Sequence, residues 1–115
     1  MPRALNRILV YGALILWTIV ALADHNLGGV LAALGRLEEA RAVEHSAAEA
    51  FRASGDPRLE GSSRVYLSRI LLAAGDVAGA EADARWMLDA PGAAGQEVAA
   101  GGHEILSCAD AHGAP

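Results

Sequence analysis

The sequence predicts an all-α fold, and three observations carry that prediction. Alanine accounts for 26 of the 115 residues, and aromatic residues for only 4%. A core of small and aliphatic side chains suits closely packed helices, where a β-sandwich would draw on β-branched and aromatic residues. Apolar residues recur at spacings of three and four along most of the chain, and no segment alternates with period two for long enough to make a strand. Between the periodic segments stand Gly35, Gly55 and Gly75. A glycine there can take positive φ, end one helix and turn the chain into the next.

Residues 1–23 form the first element. Arg3 and Arg7 precede an uncharged run from Ile8 to Val20, followed by Ala21-Leu22-Ala23 and then Asp24. A positive start, an apolar stretch and a small-x-small tripeptide are the three parts of a secretory signal peptide. Extended to Ala23, the run has 16 apolar or neutral residues, fewer than the roughly 20 of a spanning helix. A cleaved signal, an uncleaved membrane anchor and a soluble apolar helix packed on the rest of the domain are the three readings. The tripeptide and the arginines tilt the balance to an exported or membrane-associated chain, with a cytoplasmic location as the alternative.

Residues 24–115 form the second unit. A helix is expected over 21–34, ending at Gly35. The next spans 38–54, with Ala40, Val43, Ala47, Ala50, Phe51 and Ser54 as one face. Gly55-Asp56-Pro57 then supplies a stop, a capping side chain and a proline suited to a first helical turn. A third helix is expected over 57–74, with Leu59, Tyr66, Leu67, Ile70 and Leu71 inward, and Gly75-Asp76 repeats the stop and start. The fourth, 77–90, has the stripe Val77, Ala80, Ala84, Met87 and Leu88 and is ended by Pro91-Gly92. The fifth, 96–112, has Val98, Ile105, Leu106 and Ala109 on its apolar side. Phe51, Leu67, Leu71, Ala80 and Met87 are expected to be buried together. Short breaks force neighbouring helices to run antiparallel.

Chemistry-bearing motifs are few. His103-Glu104 begins like a zinc-protease motif, but Ser107 stands at the second histidine position. Glu104, Cys108 and His112 share one helix face, yet the stripe spans about 12 Å at ~1.5 Å per residue, too long to grip one ion. Cys108 has no cationic neighbour in sequence and is expected to be a buried, inert thiol. The doublets Gly28-Gly29 and Gly101-Gly102 read as close-packing or fraying positions. A single cysteine excludes an intrachain disulfide and a CxxC metal cage. A 53% apolar, 20% charged composition excludes a disordered chain. A formal charge of −5 argues against a nucleic-acid surface. All nine basic residues are arginine, which with the alanine excess reads as genome composition. Neither a catalytic residue nor a cofactor or metal site is assigned, and an enzyme is not expected.

The segment Leu31-Ala-Ala-Leu-Gly35-Arg-Leu-Glu-Glu-Ala40 aligns with Leu71-Leu-Ala-Ala-Gly75-Asp-Val-Ala-Gly-Ala80 at an offset of 40 residues. Together with Leu27-Gly28, Ala47, Leu67, Met87 and Gly55-Asp56-Pro57, this pattern resembles the tetratricopeptide repeat in its longer variety, as in kinesin light chains. The resemblance covers about Ala21 to Pro115, with a third copy cut off near Gly113. It departs from the family at Ser68, where glycine is common, and at Glu44 and Ala84, where an aromatic is common. It implies a solenoid of about two and a half helix pairs that binds a protein or peptide without catalysis. The first helix of each pair would line a concave groove, making His25, Ser62, Val65, Arg69 and Leu72 groove residues, joined by His103, Ser107 and Asp110. Arg69, whose planar fork can hold a carboxylate, would meet an acidic partner group. Fewer than three repeats leaves a homo-oligomer as one route to stability. The alternatives are a regulatory fragment of a larger bacterial signalling protein (a kinase or transcription regulator) and an exported or membrane-tethered envelope assembly factor.

Overall fold

The computed structural model describes residues 2–89 and 95–113, with side chains through residue 111. Among these residues are five helices: α1 Arg3–Ala33, α2 Leu37–Ala53, α3 Pro57–Ala73, α4 Val77–Asp89 and α5 Gln96–Gly113. Among the described residues there is no strand. Each of α1, α2, α3 and α4 packs against a neighbour in sequence, and α3 also touches both α1 and α5. The expected Pro91-Gly92 stop lies outside the described residues.

The breaks after α1, α2 and α3 are built alike. Gly35, Gly55 and Gly75 have φ of 80°, 70° and 87°. Each glycine N–H donates to the carbonyl three residues back, and the next N–H donates five residues back: Arg36 to Leu31, Asp56 to Phe51, Asp76 to Leu71. This double closure satisfies carbonyls that a helix end leaves open. Asp56 Oδ1 accepts from the Leu59 N–H at 3.1 Å, and Asp76 Oδ1 accepts from the Gly79 N–H at 2.9 Å. These two aspartates cap α3 and α4 as their sequence positions suggested. Gly95, with φ of 91°, extends the series of positive-φ glycines at intervals of twenty residues.

The core is divided along the stack. Leu67, Leu71, Ala80, Ala84 and Ile105 join α3, α4 and α5. Leu31, Ala40 and Ile70 join α1, α2 and α3. Ala21, Ala47 and Phe51 form a separate group with Leu59 against it, and Met87 meets Val98 between α4 and α5. Phe51, Leu71 and Met87 are therefore buried, but in three clusters, which corrects the expectation of one shared core. Elongated packing places successive helices too far apart for a common centre. Tyr66, expected inward, is 40% exposed; Leu67, Ile70 and Leu71 take the buried face and turn Tyr66 toward the rim beside α1.

The N-terminal end of α1 differs from everything else. A single unbroken helix crosses the expected boundary at residues 23 and 24. From Ile8 to Val20 its large apolar side chains are all about half exposed or more, and Ala21 is its first buried residue. The longest dimension of the molecule, 64 Å, reflects this projecting arm. From Ile8 to Leu16 the run is thus not packed on the body, unlike the third sequence reading, and only its end from Trp17 touches α2.

Candidate functional site

Helices α1, α3 and α5 share one face, and α3 supplies its centre. Ser62, Val65, Tyr66 and Arg69 recur at three- and four-residue spacings and therefore project together. A hollow of about 300 Å³ is lined by His25, Ser62, Val65, Tyr66, Arg69, Glu97 and Val98. A second hollow of about 260 Å³ lies between α1 and α3, bordered by Gly29, Leu37, Tyr66, Arg69 and Ile70. Tyr66 and Arg69 form the ridge common to both. The Tyr66 ring lies 4.5 Å from the His25 ring, tilted by 38°.

Beneath His25 sits a buried polar cluster. Glu44 on α2 and Ser63 on α3 have no exposed surface. His25 Nδ1 is 3.0 Å from Glu44 Oε2 and 3.2 Å from Ser63 Oγ. It is also 3.0 Å from Oε1, but without hydrogen-bond geometry, so that Oε1 has no hydrogen bond among the described residues. Burial raises the Glu44 carboxyl above its ordinary range, opposed by the hydrogen bond and charge of His25 and reinforced by Asp24. Room for the side chain comes from Gly28, where a Cβ would stand 2.5 Å from Glu44 Cγ.

This trio holds three helices together; its geometry does not activate a nucleophile. Both Glu44 and Ser63 meet the same ring nitrogen, whereas a serine–histidine–carboxylate relay uses one nitrogen for each partner. Ser63 is also sealed from solvent. With Nδ1 occupied, only Nε2 remains for a group in the hollow.

A second polar lock joins α3 to α4. Arg64 donates to Glu60 at 2.9 Å and to Asp83 at 2.7 Å, and its guanidinium lies 4.7 Å from the centre of the Trp86 ring. Burial raises the Asp83 carboxyl, against the pull of Arg64. Paired on two sides and stacked on a third, Arg64 is committed to packing.

Four of the predicted groove residues, His25, Ser62, Val65 and Arg69, line one hollow. Leu72 does not; about one turn further along α3 than Arg69, it is half-buried against the Leu67–Leu71–Ile105 cluster. His103, Ser107 and Asp110 are exposed on α5 and lie outside that lining. Arg69 is not an open cation: its Nη2 is 3.4 Å from Glu104 Oε2. Both side chains are more than half exposed, so this pair is weak and displaceable. Cys108 is exposed, which corrects the buried-thiol reading; Ile105 and Ala109 occupy the inward face of α5 instead. The His112 side chain lies outside the described residues. Tyr66, Glu97 and Glu44 belong to the site or its support but were not among the residues expected there. Glu44 had a signal, a carboxylate at a position where the repeat pattern favours a ring.

No family model, curated protein or solved structure matches the chain.

Proposed function

We propose that the chain is a non-enzymatic scaffold, a short solenoid of the tetratricopeptide kind, that binds a peptide or protein segment across the α1–α3–α5 face. The observation that carries this reading is the Tyr66–Arg69 ridge between two adjoining hollows. An aromatic face and a guanidinium are the side chains that most often anchor a partner segment. Glycines of positive φ every twenty residues, and the contacts of α3 with both α1 and α5, support the repeat architecture. The test is selection of a displayed random-peptide library on the full chain, with recovered peptides then measured on Tyr66→Ala and Arg69→Ala. The expected result is enriched peptides whose binding falls in both variants. Peptides insensitive to both substitutions, or no enrichment, overturn the reading.

A second feature favours a membrane setting for this scaffold. The arm of α1 is apolar on every side, with a mean hydropathy of 1.8 over its best 18 residues. A helix with no polar face has no stable place in water. Arg3 and Arg7 would hold its first turns on the cytoplasmic side, and the helical body would stand on the other. Flotation of the full chain with phosphatidylcholine–phosphatidylglycerol vesicles tests this; a chain that stays with the aqueous fraction overturns it.

A further inference from the structure

The apolar run and the folded body use the same residues. Ile8–Ala23 is 16 residues, about 24 Å of helix at ~1.5 Å per residue, against a hydrocarbon core of about 30 Å. No residue of the run can be spared if it is to cross. Yet Trp17–Ala23 is also the start of the body. Ala21 is buried against Ala47 and Phe51, and the Trp17 indole N–H donates to the Ala50 carbonyl at 3.4 Å. The last turn of α2 therefore lies level with Trp17. Beside it come the exposed Glu49, Arg52 and Arg58 and the half-buried Asp56.

If the run crosses fully, these charged groups are carried into hydrocarbon, about 9 Å below Ala23 by the helical rise. Charges at that depth are costly. If instead the membrane boundary stops at Trp17 to spare them, Arg7 lies ten residues deeper, about 15 Å, at the middle of the bilayer. With the contacts seen here intact, either arrangement places charged groups in hydrocarbon.

We infer that crossing a bilayer parts Trp17–Ala23 from α2, so that the α1–α2 seam below Asp24 is closed outside the membrane and open within it. This inference rests on the membrane reading above. What opening gives up is the burial of Ala21, its cover over Ala47 and Phe51, and one long hydrogen bond. What it gains is larger. Trp17, Ile19, Val20 and Leu22, 54%, 56%, 51% and 37% exposed here, all leave water, and Arg7 stays at the surface. The remainder of the seam, Leu31 against Ala40 and Ile70, lies beyond Asp24 and stays closed.

Trp17 reports on the choice. In an open, fully crossing helix it stands about one and a half residues from the centre of the run, roughly 2 Å from the midplane; with the seam closed it stands at the boundary. The chain has two tryptophans, so Trp86→Phe leaves Trp17 alone. The full-length variant is reconstituted in phosphatidylcholine–phosphatidylglycerol vesicles whose acyl chains carry bromine either near the headgroup or near the chain end. Subtracting the signal of Trp17→Phe from that of the unsubstituted chain gives the same quantity without altering Trp86. The expected result is stronger quenching of Trp17 by bromine near the chain end. Stronger quenching by bromine near the headgroup overturns the inference while leaving membrane binding intact. No quenching in either vesicle overturns the membrane reading and the inference with it.

Discussion

Glu44 has no exposed surface, yet its carboxylate faces His25 Nδ1 across 3.0 Å. A buried carboxylate is tolerated only where it is paired, hydrogen-bonded or protonated. This one is held by a single imidazole, with Ser63 sharing the same nitrogen. The cluster ties α1, α2 and α3 together directly beneath the proposed binding face, so its integrity sets the position of the His25 ring and of Tyr66 stacked on it.

Gly28 makes the space for Glu44. A Cβ there would lie 2.5 Å from Glu44 Cγ and 2.6 Å from Oε1. Gly28→Ala is expected to destabilise the chain by about 1–3 kcal/mol through overpacking, read from chemical denaturation in detergent. In a Glu44→Ala background the same substitution should cost less, because the obstructing atoms are gone. Equal costs in the two backgrounds would show that the clash lies elsewhere.

The same carboxyl makes stability depend on pH. Burial raises Glu44 above 4.5, against the pull of His25, and burial raises Asp83 above 3.8, against Arg64. A carboxyl with a higher pKa folded than unfolded binds more protons in the folded state between the two values. Its contribution is complete below the unfolded value and is lost as pH rises through the folded one. Melting temperature is therefore expected to rise as pH falls from neutrality toward 4.5. Glu44→Gln and Asp83→Asn should each flatten that profile. A slope unchanged in both variants would rule these carboxyls out as its source.

The helix breaks were legible because glycine, aspartate and proline act locally. Gly35, Gly55-Asp56-Pro57 and Gly75-Asp76 do in the structure what their types dictate. Four of the groove residues were legible through the period of α3 and its partner α1. The buried polar network was not. Glu44 and Asp83 carry side chains whose ordinary place is water, and only the partners across helix interfaces, His25 and Arg64, make their burial tolerable. Such pairings join residues 19 positions apart, beyond the reach of any local pattern. The end of the signal-like run was also hidden: Ala23-Asp24 looks like a boundary by composition, while nothing at those residues breaks a helix.

Gly75 tests the turn chemistry in isolation. At φ of 87° it has no atom within 4 Å of where a Cβ would stand, so substitution costs backbone strain and nothing else. Gly75→Val is expected to lose about 1–2 kcal/mol, the penalty of left-handed backbone for an L-residue. Gly75→Asn should lose less, since asparagine tolerates that region. Denaturation midpoints that fail to separate the two variants would contradict the positive φ.

Leu71 probes the largest cluster. It is 5% exposed, among Leu67, Ala80, Ala84 and Ile105. Leu71→Ala is expected to cost about 2–5 kcal/mol, whereas Leu72→Ala, removing a half-buried side chain, should cost less. A reversed order, measured by urea denaturation, would mean that the α3 register is turned by one residue.

Shortening the chain from its N-terminus separates the arm from the body. A chain beginning at Trp17 keeps Ala21 against Ala47 and Phe51 and keeps the indole contact with Ala50. A chain beginning at Asp24, the product of cleavage after Ala23, loses both and uncovers Phe51, which is 1% exposed in the full chain. Burying such a side chain is worth about 1.5–3 kcal/mol, and a body of this size has little to spare. The chain from Trp17 is therefore expected to remain helical and to unfold cooperatively by circular dichroism. The chain from Asp24 should unfold at a lower midpoint by roughly that energy and expose a surface that binds a hydrophobic dye. Adding Phe51→Ser should reduce dye binding by the Asp24 chain, because Phe51 is the surface newly uncovered. Equal midpoints for the two shortened chains would show that Trp17–Ala23 contributes nothing to the body, and would restore cleavage after Ala23 as a step the fold does not feel.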